Sequence, residues 1–120
     1  MEIAIIAHDG KKAEMVQFLN QHSDILQQKS ITLISTGTTG EKVNKAGLEV
    51  HALLSGPLGG DAQIAARVAE GKCNMVLFFR DPLDRHPHEP DILMLMRLCD
   101  VHNVPLATNP ATAELLIKAI

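Results

Sequence analysis

The chain has 120 residues, of which 46% are hydrophobic and 21% are charged, and this predicts a single domain over residues 1–120 with its own core. A net charge of −3 and an aromatic content of 2% argue against nucleic acid as a partner, because neither a basic surface nor a base-stacking platform is available. The chain opens directly into a short apolar run, and none of its apolar runs is long enough to span a bilayer. We therefore expect a cytoplasmic protein without a membrane partner. Cys73 and Cys99 match no metal or redox spacing and predict reduced, buried thiols.

Short apolar runs alternate with helix-like segments along the whole chain. The runs are typical of strands buried on both faces, and the other segments repeat apolar residues at helical spacing. The alternation predicts an α/β fold of three layers (α/β/α), Rossmann-like, with a five-stranded parallel sheet and right-handed crossovers. The predicted strands are Ile3–Ala7, Ile31–Ser35, Glu49–Leu54, Met75–Phe79 and Pro105–Thr108, and the predicted helices are Lys11–Asn20, Glu41–Ala46, Ala62–Glu70, Asp91–Asn103 and Ala111–Ile120.

Every predicted strand is followed by polar or glycine-rich residues. In open parallel sheets, ligands bind outside the carboxyl ends of the strands, near the switch in strand order. We therefore expect five loops to converge at one edge of the sheet, and this convergence indicates a ligand site more strongly than any single motif. The loops contain His8 and Asp9, Thr36 to Thr39, Ser55 to Asp61, Asp81 to His88, and Asn109.

The glycine-rich segment from Ser55 to Asp61 leads from the third strand into a helix. Its glycines allow the backbone to approach a ligand, and the N–H groups of the first helical turn favour an anion. Asp61 has two interpretations. An aspartate before a helix is most often an N-cap, whereas a carboxylate beside aimed donors can remove a proton from carbon next to a carbonyl.

The segment Thr36-Gly37-Thr38-Thr39-Gly40 offers hydroxyls and backbone amides at a helix start. Phosphate suits this arrangement, although a simple capped loop is an equal interpretation of the motif alone. The glycine spacing matches neither a P-loop nor a dinucleotide fingerprint. Lys12 could add a positive charge, but a lone lysine on a helix surface is usually solvated.

The loop after the fourth strand contains His86 and His88 among several carboxylates. A metal site is one interpretation, but the ligand pattern is incomplete and no metal is predicted. In the other interpretation, one histidine is a neutral electrophile or proton carrier beside an oxyanion. His88 is the better held of the two, because it lies between Pro87 and a predicted helix start.

Several of these motifs resemble methylglyoxal synthase, in the same order and with the same spacing. The resemblance covers nearly the whole chain, and the glycine-rich aspartate motif is its most specific part. It implies a cytosolic enzyme that converts dihydroxyacetone phosphate to methylglyoxal and inorganic phosphate without a metal or organic cofactor, as a homohexamer inhibited by phosphate. The motifs are Ala7-His8-Asp9, Thr36-Gly37-Thr38-Thr39-Gly40, Ser55 to Asp61, Phe78 to Leu83, Pro87 to Asp91, and Asn109 to Ala113.

The resemblance also implies roles for single residues. Asp61 would be the catalytic base and acid, and His88 would act with it. Three further carboxylates, Asp9, Asp81 and Asp91, match positions in or beside the site. The residues that would hold the substrate are His8, Lys12, Thr36, Gly37, Thr38, Thr39, Ser55, Gly56 and His88.

Two other functions stay open. The chain could be a regulatory domain that binds a phosphorylated effector without turnover, although a binding module needs neither Asp61 nor His88. It could also be a metal-dependent hydrolase built on the loop from Asp81 to Asp91. Within the enzyme interpretation, the residues alone do not separate elimination from isomerisation.

Overall fold

The computed structural model describes residues 1–84, 86 and 88–120, and its centre is a parallel sheet with the order β3-β2-β1-β4-β5. All four neighbouring pairs are parallel. The predicted five-stranded parallel sheet is therefore confirmed. The strands are β1 (Glu2–Ala7), β2 (Thr32–Ser35), β3 (His51–Ala52), β4 (Met75–Phe79) and β5 (Leu106–Ala107).

Helices cover both faces of the sheet, as the three-layer prediction requires. Side chains of α1, α3 and α6 form one core with one face, and side chains of α4 and α5 form a second core with the other face. The helices are α1 (Lys12–Gln21), α2 (Ser23–Leu26), α3 (Gly37–Lys45), α4 (Gly60–Ala69), α5 (Glu89–Val101) and α6 (Pro110–Lys118), with 3-10 turns at Asp9–Lys11 and Gly56–Leu58.

The position of β1 at the centre of the sheet explains why Ile3–Ala7 is a continuous apolar run. Its side chains alternate between the two faces, so that Ile3 and Ile5 enter one core while Ala4 and Ile6 enter the other. Each face is covered by helices, so every position of the strand after Glu2 is buried.

The largest differences from the prediction lie in β3, α3 and α2. Strand β3 is an exposed edge strand of two residues, His51 and Ala52, because the chain turns away after Leu53 donates its N–H to the Ser35 carbonyl. Helix α3 begins at Gly37 rather than Glu41, so the threonine segment forms a helical turn and not a loop. The short helix α2 was not predicted. Arg85 and Pro87, in the predicted polar loop, lie outside the described residues.

The two cysteines match their predicted state. Cys73 and Cys99 are free and buried, and burial raises the pKa of both thiols, that of Cys99 to about 11. Within the described ranges, no helix combines the length and apolar character needed to cross a membrane.

Candidate active site

A cavity lies at the switch in strand order, between β1 and β4. From β1 the chain adds β2 and β3 on one side, and then returns to add β4 and β5 on the other. The cavity has a volume of about 400 Å³. Four strand exits line it, together with Lys12 at the start of α1: His8 and Asp9, then Thr36 and Thr38, then Ser55, Gly56 and Asp61, and finally His86 and His88.

The fifth strand exit does not reach this cavity, so the predicted convergence of five loops is wrong for Asn109. That residue lines a different cavity. Its side-chain oxygen accepts the backbone N–H of Thr112 at 3.0 Å and caps α6. Asn109 lies away from the cavity because it follows β5, the edge strand beyond β4.

Asp61 is fully buried inside the first turn of α4. It is not the N-cap, because the helix is preceded by Gly59, whose φ of 110° is in the left-handed region. Neither Asp61 carboxyl oxygen accepts a hydrogen bond from a described residue. His88 Nε2 lies 3.2 Å from Asp61 Oδ2, in contact with the carboxyl group but without the alignment of a hydrogen bond. The capping interpretation of Asp61 is therefore wrong.

The environment of Asp61 makes it a stronger base than an exposed aspartate. Burial raises the pKa of its carboxyl group, and the neighbouring His88 partly opposes this shift. A carboxylate whose pKa is closer to neutrality accepts a proton more readily, and such shifts are common at catalytic sites.

Gly56 allows Asp61 and His88 to lie close together. A Cβ atom at this position would lie 2.8 Å from His88 Nε2 and 3.1 Å from Asp61 Oδ2. The first distance is shorter than any normal contact, so a larger residue would push the histidine away from the carboxyl group. The glycine is therefore a requirement of the site geometry.

His8 is held as a neutral hydrogen-bond donor. Its Nδ1 accepts the backbone N–H of Asp81 at 2.8 Å, so the ring proton is on Nε2. Burial is the main cause that lowers the pKa of His8 to about 4, helped by the nearby His86 and His88. Its Nε2 is buried and has no partner among the described residues. Near neutral pH, His8 can therefore donate to an anion without adding charge.

Lys12 supplies positive charge to the cavity from the first turn of α1. Only 6% of this lysine is exposed, and its Nζ is paired with the carboxylate of Asp9. The Asp9 side chain is itself exposed, and its bond to Lys12 lowers the pKa of the Asp9 carboxyl. A phosphate that enters the cavity can compete for Lys12, because Asp9 is free to be hydrated.

The threonine segment divides between the cavity and the core. Thr36 and Thr38 line the cavity, at the start of α3, where the helix dipole favours an anion. Thr39 is buried, and its hydroxyl lies 3.4 Å from the Ala7 carbonyl oxygen, to which it donates. Gly37 donates its N–H to Leu54 O, and a Cβ atom there would lie 2.9 Å from the Leu53 oxygen. The structure therefore places Thr39 and Gly37 in packing positions.

Two predicted carboxylates lie beside the cavity rather than in its lining. The Asp81 backbone holds His8, and the Asp81 side chain accepts the Leu83 N–H at 3.1 Å. Asp91 donates its N–H to the His88 carbonyl at 3.0 Å, and its charge contributes to the raised pKa of Asp61. Both act on the site through a neighbouring histidine or carboxyl group.

The lining includes residues that the sequence did not predict: Ile6, Ala7, Pro57 and His86. The first three contribute apolar wall, and their positions follow from the ends of β1 and the 3-10 turn. The sequence favours His88 over His86 as the histidine of the site. The only available signal for His86 was its position two residues before His88, which does not reveal that its ring turns toward His8.

Buried polar atoms without a protein partner concentrate around this cavity. Among the described residues they include His8 Nε2, both oxygens of Asp61, His86 Nε2 and His88 Nδ1. Each such atom costs about 1–3 kcal/mol of desolvation, and native proteins leave few of them. A polar ligand that pairs with these atoms would recover this free energy. No group of three or more histidine, cysteine, aspartate or glutamate side chains in the described ranges is arranged to hold a metal ion.

We expect Lys12→Met to weaken the binding of inorganic phosphate roughly 10- to 100-fold, because a charge-assisted hydrogen bond is worth about 1.5–3 kcal/mol. Methionine keeps the apolar part of the side chain, so the midpoint of thermal unfolding should change little. Calorimetric titration with phosphate measures the affinity. Lys11→Met is the matched control, since Lys11 lines another cavity. Equal losses in both variants, or equal losses of affinity and stability in Lys12→Met, would contradict a phosphate site here.

The fold and the site define a class of protein, an α/β domain whose anion-binding cavity contains a buried carboxyl group. The family model for the MGS-like domain matches residues 14–108. The chain belongs to the methylglyoxal synthase family, as the sequence motifs predicted. It is 60% identical to methylglyoxal synthase from Caldicellulosiruptor saccharolyticus, over 100% of this chain and 84% of that protein.

Other relatives agree in sequence and in structure. The chain is 53% identical to methylglyoxal synthase from Clostridium beijerinckii, over 98% of each protein. The crystal structure of methylglyoxal synthase from Elizabethkingia anophelis NUHP1 superposes with a TM-score of 0.90 and 40% identity, over 97% of this chain and 76% of that one. These similarities favour an enzyme over a regulatory domain.

Proposed function

We propose that this chain is a methylglyoxal synthase, a carbon–oxygen lyase that converts dihydroxyacetone phosphate to methylglyoxal and inorganic phosphate. The observation that carries the proposal is the buried Asp61 carboxyl group, which lies against His88 in a cavity that also contains Lys12. A site that only bound an anion would not place a buried carboxyl group beside it, because the like charges would repel.

The substrate phosphate would bind toward Lys12 and the start of α3. Lys12 supplies the charge, Thr36 and Thr38 supply hydroxyl donors, and the N-terminal turn of α3 adds a favourable dipole. Ser55 and Gly56 line the same cavity. This orientation directs the carbonyl and hydroxymethyl ends of a three-carbon substrate toward Asp61 and the histidines.

Asp61 would remove a proton from the hydroxymethyl carbon. The electrons of the broken C–H bond then form an enediolate, whose oxygen needs hydrogen-bond donors during this step. His8 donates through its Nε2–H, and it remains neutral because its pKa is about 4. His88, in contact with Asp61, is the second donor.

Phosphate would leave from the neighbouring carbon by β-elimination. The terminal hydroxyl proton first moves to the middle oxygen, so that the terminal carbon can form its C=O bond while the electrons of the C=C bond shift and expel phosphate. Protonated Asp61 supplies a proton to the leaving phosphate. The enol aldehyde that remains takes up a proton at its methylene carbon and releases its hydroxyl proton to give methylglyoxal. An isomerase would share the first step and then protonate the middle carbon. Elimination requires that the carbon–oxygen bond to phosphate lie out of the enediolate plane. In this mechanism, the contacts that bind the phosphate hold the bond in that orientation.

An assay with dihydroxyacetone phosphate tests the proposal directly. We expect equal amounts of methylglyoxal and inorganic phosphate, and the same rate in excess EDTA. Glyceraldehyde phosphate as the only product would identify an isomerase. Turnover that stops in EDTA would favour the metal-dependent hydrolase, and the absence of turnover by folded protein that still binds phosphate would favour the regulatory domain.

Inhibition by phosphate, a homohexamer and a cytoplasmic location also belong to the proposal. Phosphate is a product that fits the same cationic pocket, so it should compete with the substrate. Self-association would cover exposed apolar side chains such as Leu83 and Leu115. Sedimentation measures the assembly, and fractionation of cells measures the location.

A further inference from the structure

His86 is a half-buried part of the cavity wall that the proposed reaction does not use. Its ring stacks on the ring of His8, with centroids 3.6 Å apart and planes inclined by 23°. Its Nε2 is buried and unpartnered among the described residues. A parallel contact this close covers one whole face of His8.

His8 is restrained from three directions, and His86 supplies one of them. The Asp81 N–H holds Nδ1 at 2.8 Å, and the edge of the ring meets Phe78 at 5.1 Å with planes inclined by 79°. The ring rotates about its Cβ–Cγ bond, and the hydrogen bond alone restrains that rotation only at Nδ1. The stacked imidazole removes that freedom, because rotation would drive the His8 ring into His86.

His86 is itself fixed by the start of α5. Its carbonyl oxygen accepts the backbone N–H of Glu89 at 3.2 Å, and Glu89 is the first residue of that helix. The ring of His88, at the N-cap of the same helix, lies 5.7 Å from that of His86. The helix start therefore positions the histidine beside Asp61 and, through the stack, the donor on His8.

We propose that His86 is a positioning residue, which holds the Nε2–H of His8 toward the substrate by stacking on its ring. This inference rests on the proposed function for its kinetic consequence, but the stack and its effect on His8 do not depend on turnover. The neighbours Arg80, Asp81 and His88 also act on the charge of His8, so the variants leave all three unchanged.

The test compares His86→Ala, which removes the stack, with His86→Phe, which keeps an aromatic face but has no ring nitrogen. For His86→Ala we expect kcat for dihydroxyacetone phosphate to fall about 10-fold while KM changes less, because His8 donates to the enediolate that forms during the reaction. The ¹⁵N spectrum of the His8 ring should move from the pure Nε2–H form toward a mixture of both tautomers. His86→Phe should resemble the wild type in both measurements. His51→Ala, on the exposed edge strand, is the matched control.

The spectra are recorded without substrate, so they decide the inference even for a protein that turns nothing over. A His8 spectrum that is unchanged in His86→Ala would overturn the positioning role. A fall in kcat in His86→Phe equal to that in His86→Ala would also overturn it, because His86 would then act through its own ring nitrogens. Absence of turnover with the expected change in the spectra would contradict the proposed function alone.

Discussion

Replacement of Asp61 by asparagine is expected to lower kcat about 10²–10⁴-fold, the usual contribution of a general base. Asparagine has nearly the same shape, so inorganic phosphate should still bind. Turnover of dihydroxyacetone phosphate and calorimetric titration with phosphate measure the two effects. The matched control is Asp100→Asn, the same change at an exposed position on α5. A rate near that of the wild type would contradict a catalytic role for Asp61.

The same variant should gain stability at neutral pH. The pKa of Asp61 is raised in the folded protein, so the folded state binds this proton more tightly than the unfolded state does. This stabilising contribution is complete below the unfolded pKa near 3.8 and is lost as the pH rises through the raised folded value. The uncharged asparagine escapes that loss. Thermal unfolding at pH 7 should therefore show a higher midpoint for Asp61→Asn, and the difference should shrink toward pH 4.

Replacement of Gly60 by alanine is expected to produce the largest loss of stability. A Cβ atom there would lie 2.0 Å from the carbonyl oxygen of Leu54 and 3.0 Å from that of Ser55. Alanine normally stabilises a helix by about 0.5–1 kcal/mol relative to glycine. Here the overlap is with backbone, which no rotamer change can relieve, so we expect a loss of about 3 kcal/mol and a fall in the unfolding midpoint of roughly 10 °C.

Gly47→Ala is the control for this prediction. Gly47 has a φ of 92°, and a Cβ there would have no described atom within 4 Å, so its cost of about 1 kcal/mol comes from the backbone conformation alone. If Gly60→Ala lost no more stability than Gly47→Ala, the close seating of α4 on the end of β3 would be contradicted.

The sheet could be predicted because its signals are local. The central strands are buried on both faces, and such burial selects an unbroken run such as Ile3–Ala7. The edge strand β3 was harder to predict, because only one neighbour stabilises it and the predicted strand from Glu49 to Leu54 continues beyond the paired residues. The start of α3 was missed because Gly37 and Gly40 suggest a loop, whereas in the fold they allow close contact with Leu53, Ser35 and Ala52.

The site could be predicted only in part. The order of strand exits places His8, Asp61 and His88 together, and the motifs indicate their chemistry. Whether Thr38 or Thr39 faces the cavity depends on the residue at which α3 begins, because a shift of one residue rotates the helix by about 100°. The sequence does not specify that residue. The stack of His86 on His8 joins loops that are more than 70 residues apart, and only the packing of β1 beside β4 brings them together.

The hydrogen bond from Asp81 to His8 spans 73 positions of the chain, and this has a consequence for folding. Closure of so long a segment is entropically costly, and it is completed only when β4 adds to the sheet. A chain in which only β1, β2 and β3 have formed already contains Asp61 and the threonines of α3. Its His8 ring, however, lacks the hydrogen bond from Asp81 that fixes the proton on Nε2. Catalytic competence should therefore appear late, in one step with the closure of β4 on β1, and not grow gradually with helix content.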